Sequence, residues 1–165
     1  MTEVLDIRAI QEYQQNRFPY LMIDRITEYV PGKSCKGYKN LTMNEWFFPS
    51  HFIGDPIMPG MLMLESLTQV FLMTFLTMPE YKGQVTSFLR ADNVCFKARV
   101  VPGDRLEIEA ELDSIKRGIA KGRVVGRVDG HLACQAELVV GMPKILEKLS
   151  PPKAAKPDDE RTPFL

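Results

Sequence analysis

Residues 59–78 read Pro-Gly-Met-Leu-Met-Leu-Glu-Ser-Leu-Thr-Gln-Val-Phe-Leu-Met-Thr-Phe-Leu-Thr-Met, and this stretch determines the fold. Pro59 suits the first position of a helix and Pro79 ends one, so we predict a helix over 59–78. Apolar residues fall on all its sides, which is typical of a buried core helix or a membrane span. A span needs about 20 predominantly apolar residues. Because Glu65 and Gln69 interrupt this run, we interpret it as a core helix.

The sequence on either side of this helix is rich in strand patterns. Charged and apolar residues alternate cleanly from Arg105 to Lys116, and Asp129-Gly130 is a strong hairpin signal. The predicted elements are a short helix over 6–14 and strands over 20–29, 33–41, 84–96, 105–116, 119–128 and 131–140. An all-round apolar helix beside an antiparallel sheet can bury itself only if the sheet curves around it. The sequence therefore predicts an α+β fold of the hot-dog type, with dimerisation through an open sheet edge.

Composition places the chain among globular proteins. Of its 165 residues, 45% are hydrophobic and 25% are charged. A chain of this length can bury a sizeable core. The formal net charge is zero, so the charge of the whole protein argues for neither nucleic acid nor an anionic membrane as a partner. We predict a single domain over 1–147 and a polar, Pro-rich tail over 148–165 that is disordered.

The cysteines and the N-terminus indicate the compartment. Cys35, Cys95 and Cys134 are odd in number and widely spaced, so we interpret them as free thiols in a reducing compartment. The first residues lack the basic region and apolar core of a signal peptide. The sequence predicts a cytoplasmic protein.

His51 lies in an irregular loop over 42–58 and is one of two histidines. An isolated loop histidine is more often incidental than catalytic. Here Phe47, Phe48, Phe52 and Ile53 make the loop apolar, so we predict that it packs inward with the imidazole. A buried imidazole stays neutral near pH 7 and is available as a base.

Glu65 is a carboxylic acid within an apolar helix that offers it no basic residue. Gln69 follows one turn later and is placed to hydrogen-bond it. Desolvation is expected to raise the pKa of Glu65 and favour a proton-donating form. The competing interpretation is a glutamate that reaches solvent and is stabilised by the helix dipole.

Two weaker signals accompany this pair. Gly60 at the helix start offers a backbone N–H that can polarise a carbonyl oxygen, although Pro-Gly alone marks no more than a helix start. Four basic residues form a candidate surface for an acidic carrier, or a solvated face. Three of them, Lys97, Arg99 and Arg105, cluster around the 100–104 turn, and Arg90 lies on the preceding predicted strand.

Three blocks of the sequence resemble the FabZ-type 3-hydroxyacyl-[acyl-carrier-protein] dehydratases. Residues 16–25 (NRFPYLMIDR) are similar to the family's HRYPFLLVDR, and residues 96–104 (FKARVVPGD) to FKRPVVPGD. Residues 51–69 (HFIGDPIMPGMLMLESLTQ) are similar to HFPGxPIMPGVLxxEALAQ, with the same His-to-Glu spacing. The resemblance covers about Asn16 to Val140.

This resemblance implies a hot-dog dimer, often assembled as a trimer of dimers, with active sites shared between subunits. It implies that His51 removes the α-proton of a (3R)-3-hydroxyacyl thioester and that Glu65 assists departure of the hydroxyl. It assigns the thioester carbonyl to the Gly60 N–H and orientation of Glu65 to Gln69. The acyl chain would arrive on the phosphopantetheine arm of acyl carrier protein, and no metal or organic cofactor is implied.

The chain departs from the family pattern at Asn16, Ser50, Ile53, Cys95, Ala98 and Arg99. These departures suggest a divergent member of the family, which acts in fatty acid biosynthesis or in specialised acyl or polyketide biosynthesis. Three alternatives stay open. They are a FabA-like dehydratase that also isomerises the double bond, a non-catalytic acyl-binding or assembly subunit, and a hot-dog thioesterase. The FabA-like relatives generally carry Asp at the position of Glu65.

Overall fold

The computed structural model describes residues 4–149, which form three α-helices and six strands. The helices are α1 (Ile7–Tyr13), α2 (Gly60–Leu76) and α3 (Pro143–Leu149). The strands are β1 (Arg25–Val30), β2 (Ser34–Asn40), β3 (Ser87–Phe96), β4 (Arg105–Lys116), β5 (Ile119–Val128) and β6 (His131–Gly141). A short 3₁₀ turn, Pro79–Tyr81, follows α2.

The six strands form one antiparallel sheet in the order β1-β2-β4-β5-β6-β3. Helix α2 packs against β1, β2, β4, β5 and β6, so the sheet curves around it. Leu67, Val70, Phe71 and Phe75 of α2 are fully buried in the resulting core. The predicted α+β hot-dog fold is confirmed.

Small residues on the inner face of β5 allow α2 to approach the sheet. A Cβ atom on Gly122 would lie 2.5 Å from the Phe71 ring and 2.1 Å from the Glu111 carbonyl oxygen. A Cβ atom on Gly126 would lie 2.8 Å from Cδ1 of Leu67. Because such distances are far below van der Waals contact, these glycines set how closely helix and sheet pack.

The predicted helix over 59–78 begins at Gly60 and ends at Leu76, with Pro59 and Thr77 as its caps. At 17 residues it is the longest helix described, and none within 4–149 is long and apolar enough to cross a bilayer. The three cysteines are free thiols, as predicted.

Two predicted strands began too early. The strand predicted over 20–29 starts at Arg25, because the Met22 N–H donates to the Gln69 side chain instead of to a neighbouring strand. The strand predicted over 84–96 starts at Ser87, because the Gln84 N–H closes a turn onto Tyr81. In both cases the backbone donors are satisfied outside the sheet.

The predicted domain boundary between 147 and 148 falls inside α3. This helix packs on the end of the sheet, where a Cβ atom on Gly118 would lie 2.9 Å from Ile145 and one on Gly141 would lie 3.1 Å from Leu146. Helix α3 therefore extends two residues past the predicted boundary, to Leu149. The rest of the predicted tail, 150–165, lies outside the described residues.

Candidate active site

The loop over 42–58 is anchored by its own aromatic residues. Phe47 and Phe48 are buried, and the Phe47 carbonyl accepts the N–H of His51 at 3.0 Å. The prediction that the whole loop packs inward is wrong, since Phe52 is 52% exposed and Ile53 is 93% exposed. Phe52 and Ile53 come after the buried Phe47 and Phe48 and lie in a turn of the chain. In this turn the backbone groups of Phe52 and Asp55 hydrogen-bond to each other.

A buried ion pair, which the sequence did not suggest, also fixes this loop. Nζ of Lys39, on β2, lies 2.5 Å from Oε1 of Glu45 and 3.4 Å from Oδ1 of Asp24. The Lys39 side chain is 8% exposed, so its ammonium depends on these two carboxylates, and losing both would leave a charge without a partner in the protein interior. The pair therefore holds the start of the loop on the sheet, six residues before His51.

The His51 ring is held by one hydrogen bond that also defines its tautomer. Nδ1 lies 2.9 Å from the carbonyl oxygen of Ile57. Because a carbonyl only accepts, Nδ1 carries the proton in the neutral ring, and Nε2 keeps its lone pair. The Phe52 ring stacks on the imidazole with centroids 4.0 Å apart. His51 is thus positioned as a base acting through Nε2.

His51 lines a cleft of about 330 Å³ beside the N-terminus of α2. Gly60 lines the same cleft, and no described group in 4–149 accepts its N–H. A Cβ atom at this position would lie 3.2 Å from the Phe96 ring, so a side chain here would press on the cleft wall. An unpaired N–H at a helix N-terminus is suited to stabilise negative charge on a carbonyl oxygen.

Gln69 holds Glu65 in a fixed orientation. Gln69 is fully buried, and its Nε2 donates to Oε1 of Glu65 and to the Tyr20 carbonyl, both at 2.7 Å. Its Oε1 accepts the Met22 N–H at 2.8 Å, which excludes the flipped amide. The predicted Glu65–Gln69 contact is confirmed.

Burial raises the pKa of Glu65, and this effect outweighs the hydrogen bonds from Gln69 and Tyr20, which lower it. The predicted direction is confirmed. The Tyr20 hydroxyl was missed by the sequence analysis, because it lies 45 residues from Glu65 in a segment without periodicity. The pKa of Tyr20 is itself raised, by desolvation first and then by the neighbouring Glu65.

Within one chain, Glu65 and the His51 cleft lie on different sides of α2. Glu65 follows Gly60 by five residues, which places them about 140° apart around a helix of 3.6 residues per turn. Glu65 does not line the His51 cleft. Met61, which precedes Glu65 by about one helical turn, is 70% exposed. A single chain thus presents the His51 imidazole and the Glu65 carboxyl separately.

Comparison with known proteins places this geometry in a family. A model of the FabA-like domain matches residues 15–139. A curated FabZ 3-hydroxyacyl-[acyl-carrier-protein] dehydratase from Clostridium botulinum is 43% identical over 139 residues, covering 84% of this chain and 96% of that protein. One from Bacillus velezensis is also 43% identical and covers 84% and 99%. The chain is a FabZ-type member of the FabA-like family.

Solved structures support the fold. The dehydratase heterocomplex ApeI:P from Xenorhabdus doucetiae matches with a TM-score of 0.72 and 13% identity, covering 85% of this chain and 95% of that chain. A sigma28-regulated virulence protein from Campylobacter jejuni matches with a TM-score of 0.61 and 17% identity, covering 82% and 87%. At these identities the likeness establishes the architecture alone.

The four basic residues predicted to meet a carrier are distributed over different surfaces of this FabZ-type chain. Lys97 and Arg99 line the His51 cleft, and Arg99 pairs with Asp55. Arg90 pairs with Asp92 on β3, and Arg105 donates to Asn40 and lies over the Tyr38 ring. Of the four, Lys97 and Arg99 are thus the two that lie in the cleft with His51.

The raised pKa of Glu65 predicts a pH-dependent stability. Because the folded state holds this proton more tightly than the unfolded state, the free energy of unfolding falls as pH rises above the ordinary glutamate range and through the folded pKa. Glu65→Gln removes this component. We expect the variant to gain stability relative to the unmodified protein as pH rises from 4 to 8, measured by urea unfolding at constant protein concentration.

Glu80→Gln is the matched control, because Glu80 is exposed in the turn after α2. The free energy of unfolding of Glu80→Gln should differ from that of the unmodified protein by the same amount across this pH range. If the difference for Glu65→Gln were equally constant, the claim that burial raises the pKa of Glu65 would be contradicted.

Proposed function

We propose that this FabZ-type chain dehydrates (3R)-3-hydroxyacyl thioesters on acyl carrier protein to trans-2-enoyl thioesters and water. The observation that carries the proposal is the His51 ring, whose Nδ1 is bound to the Ile57 carbonyl and whose Nε2 is left as a base in a cleft with the unpaired Gly60 N–H. The second functional group is Glu65, a carboxyl with a raised pKa. Together they supply the base, the oxyanion donor and the acid of an elimination.

In the proposed reaction, Nε2 of His51 takes the proton from C2 of the substrate. The C2–H electron pair forms the C2–C3 double bond, while the C3–O bond breaks. Glu65 gives its proton to the departing hydroxyl, which leaves as water. The Gly60 N–H stabilises the negative charge that develops on the thioester oxygen. Proton return from His51 to Glu65 restores both groups, so the chain's own side chains supply the acid and the base.

We further propose that the active site is completed by a second copy of the chain. Strand β3 pairs with β6 on one side, and no described strand pairs with its other edge. This edge strand exposes Phe88, Val94 and Phe96. An open apolar edge is favourable for pairing with another strand. A symmetric homodimer through β3 would cover it.

Phe96 connects this edge with the chemistry. It lies at the end of β3, is half exposed and lines the His51 cleft. A copy docked along β3 would therefore reach the mouth of the cleft. The separation of Glu65 from His51 within one chain supports an arrangement in which the acid comes from the second copy.

The function is tested by incubating the purified protein with (3R)-3-hydroxyacyl-[acyl-carrier-protein] and following enoyl thioester absorbance. We expect water loss and a trans-2-enoyl product. A 3-cis-enoyl product would instead indicate the dehydratase/isomerase activity. Release of free thiol without water loss would indicate a thioesterase, and no reaction over several chain lengths would indicate a binding subunit.

Lys97 provides a prediction about the carrier. Lys97 is exposed at the cleft that contains His51, so its ammonium is placed to attract an acidic carrier or the phosphate of its prosthetic arm. We expect Lys97→Glu to raise KM for the carrier-bound substrate about tenfold, with little change in kcat. The KM for a short thioester without carrier should change much less.

Lys121→Glu is the control, since Lys121 is exposed on the central strand β5 and is absent from the lining of that cleft. Its KM should stay near that of the unmodified protein. Equal effects of the two substitutions would show that the carrier contacts a broader surface than the cleft.

A further inference from the structure

The segment over 14–22, which connects α1 with β1, is tied to α2 at one residue, Gln69. Nε2 of Gln14 donates to the Gln69 backbone carbonyl at 2.6 Å. The Gln69 side chain accepts the Met22 N–H at 2.8 Å and donates to the Tyr20 carbonyl at 2.7 Å. Because Gln14 and Gln69 are both fully buried, these three bonds fix the path of the segment across the helix.

This attachment places Tyr20 beside the acid. The same Nε2 of Gln69 donates to Oε1 of Glu65 at 2.7 Å, so the Tyr20 backbone and the Glu65 carboxyl share one donor. The Tyr20 side chain hydrogen-bonds the Glu65 carboxyl. This bond lowers the pKa of Glu65 and raises that of Tyr20, as expected when a phenol O–H donates to a carboxylate.

The other charged groups near this contact are engaged elsewhere. Among the 17 residues of α2, Glu65 is the only charged one. The Arg17 guanidinium donates to three backbone carbonyls of the segment over 11–16, and Asp24 pairs with Lys39. Apart from Lys39, the charged residues of the strands that pack on α2 are exposed. The Tyr20 hydroxyl is thus the ionisable group of the described chain that acts on this acid.

We propose that Tyr20 is a positioning residue for the dehydration, whose hydroxyl stabilises the carboxylate left on Glu65 when its proton passes to the departing hydroxyl. This rests on the dehydratase function proposed above. A hydrogen bond to a charged acceptor is stronger than one to a neutral acceptor, so the Tyr20 bond strengthens as Glu65 loses its proton. An interaction that strengthens in this way lowers the barrier instead of only binding the substrate.

The FabZ pattern that residues 16–25 resemble has Phe at the position of Tyr20, so the hydroxyl is a departure of this chain from that pattern. Tyr20→Phe, which removes the hydroxyl and keeps the ring, is therefore the variant that tests the proposal. On the pH plateau we expect its kcat to be about threefold to tenfold lower, with little change in KM. The lower kcat reflects the lost stabilisation of the Glu65 carboxylate.

The pH profile separates this role from a structural one. Tyr20→Phe removes a bond that lowers the pKa of Glu65, so this pKa rises further and the alkaline decline of kcat/KM moves to higher pH. Loosened packing would move the decline to lower pH, because water that reaches the carboxyl lowers its pKa. His51 of a second copy, the base of the proposed site, limits activity on the acidic side, where its ring is protonated.

Tyr81→Phe is the matched control, because Tyr81 lies beyond the C-terminal end of α2 with its ring against Phe75. This variant should keep the kcat and the pH profile of the unmodified protein. In a protein that already carries Glu65→Gln, Tyr20→Phe should have no further effect on kcat, since no carboxylate forms there.

Carboxyl NMR shifts of Glu65 make the same comparison without substrate, and the titration midpoint should be higher in Tyr20→Phe. An active unmodified protein whose Tyr20→Phe variant had the same kcat, pH profile and titration midpoint would overturn the inference. So would a Tyr20→Phe effect of equal size with and without Glu65. Absence of dehydration by the unmodified protein would overturn the proposed function itself, while the NMR midpoints would still report on the contact.

Discussion

Replacing His51 by alanine is expected to lower kcat for dehydration by about 10²–10⁴-fold, the range of a lost general base. KM should change little, because the Gly60 N–H and the rest of the cleft stay in place. The physical reason is that Nε2 of His51 is the basic atom presented to the cleft by the bond between Nδ1 and the Ile57 carbonyl. Initial rates of enoyl formation at saturating substrate measure the effect.

The second histidine of the chain offers the control. His131 begins β6 and is exposed, remote in sequence from the loop over 42–58. His131→Ala should keep full activity. Retention of more than about a tenth of kcat by a folded His51→Ala protein would contradict the role of His51 as the base.

Glu65→Gln is expected to reduce kcat by a similar factor of about 10²–10⁴ while keeping the shape of the side chain. The side-chain oxygen of the new glutamine can still accept a hydrogen bond from Nε2 of Gln69. The decrease in kcat therefore reports the loss of the acidic proton alone. Because the pKa of Glu65 is raised, the protonated acid persists to higher pH than for an ordinary glutamate. The pH profile of kcat for the unmodified protein should therefore lose activity on its alkaline side as Glu65 ionises.

The exposed Glu80 again supplies the comparison, and Glu80→Gln should leave both kcat and its pH profile unchanged. The residual activity of Glu65→Gln should lack the alkaline decline assigned to Glu65. A Glu65→Gln protein that was folded, nearly fully active and unchanged in its pH profile would rule out the acid role.

Strands with strict alternation were predicted to the residue. β4 and β5 run from Arg105 to Lys116 and from Ile119 to Val128 in both the prediction and the structure. Each has one face on α2 and one in solvent, so burial imposes a period of two on the sequence. Segments whose backbone groups hydrogen-bond to distant side chains do not show this alternation of apolar and polar residues. This is why the start of β1, where the Met22 N–H is bound by Gln69, was misplaced.

The candidate active site was likewise predicted only in part. His51, Glu65 and Gln69 were found because they are polar residues within an apolar stretch and lie close together in sequence. Tyr20 and the Lys39–Glu45 pair were missed, since their roles depend on contacts that folding creates between separate elements. The inward packing predicted for Phe52 and Ile53 failed because hydrophobicity alone does not distinguish a core residue from an exposed apolar one.

Complementation between the two inactive variants tests the shared site most directly. Equal amounts of His51→Ala and Glu65→Gln are mixed, unfolded, refolded and assayed. If base and acid come from different copies, random pairing makes half the dimers mixed, each with one intact site of two, and about a quarter of the unmodified activity returns. A refolded mixture no more active than either variant alone, with both proteins folded and dimeric, would contradict an active site shared between two chains.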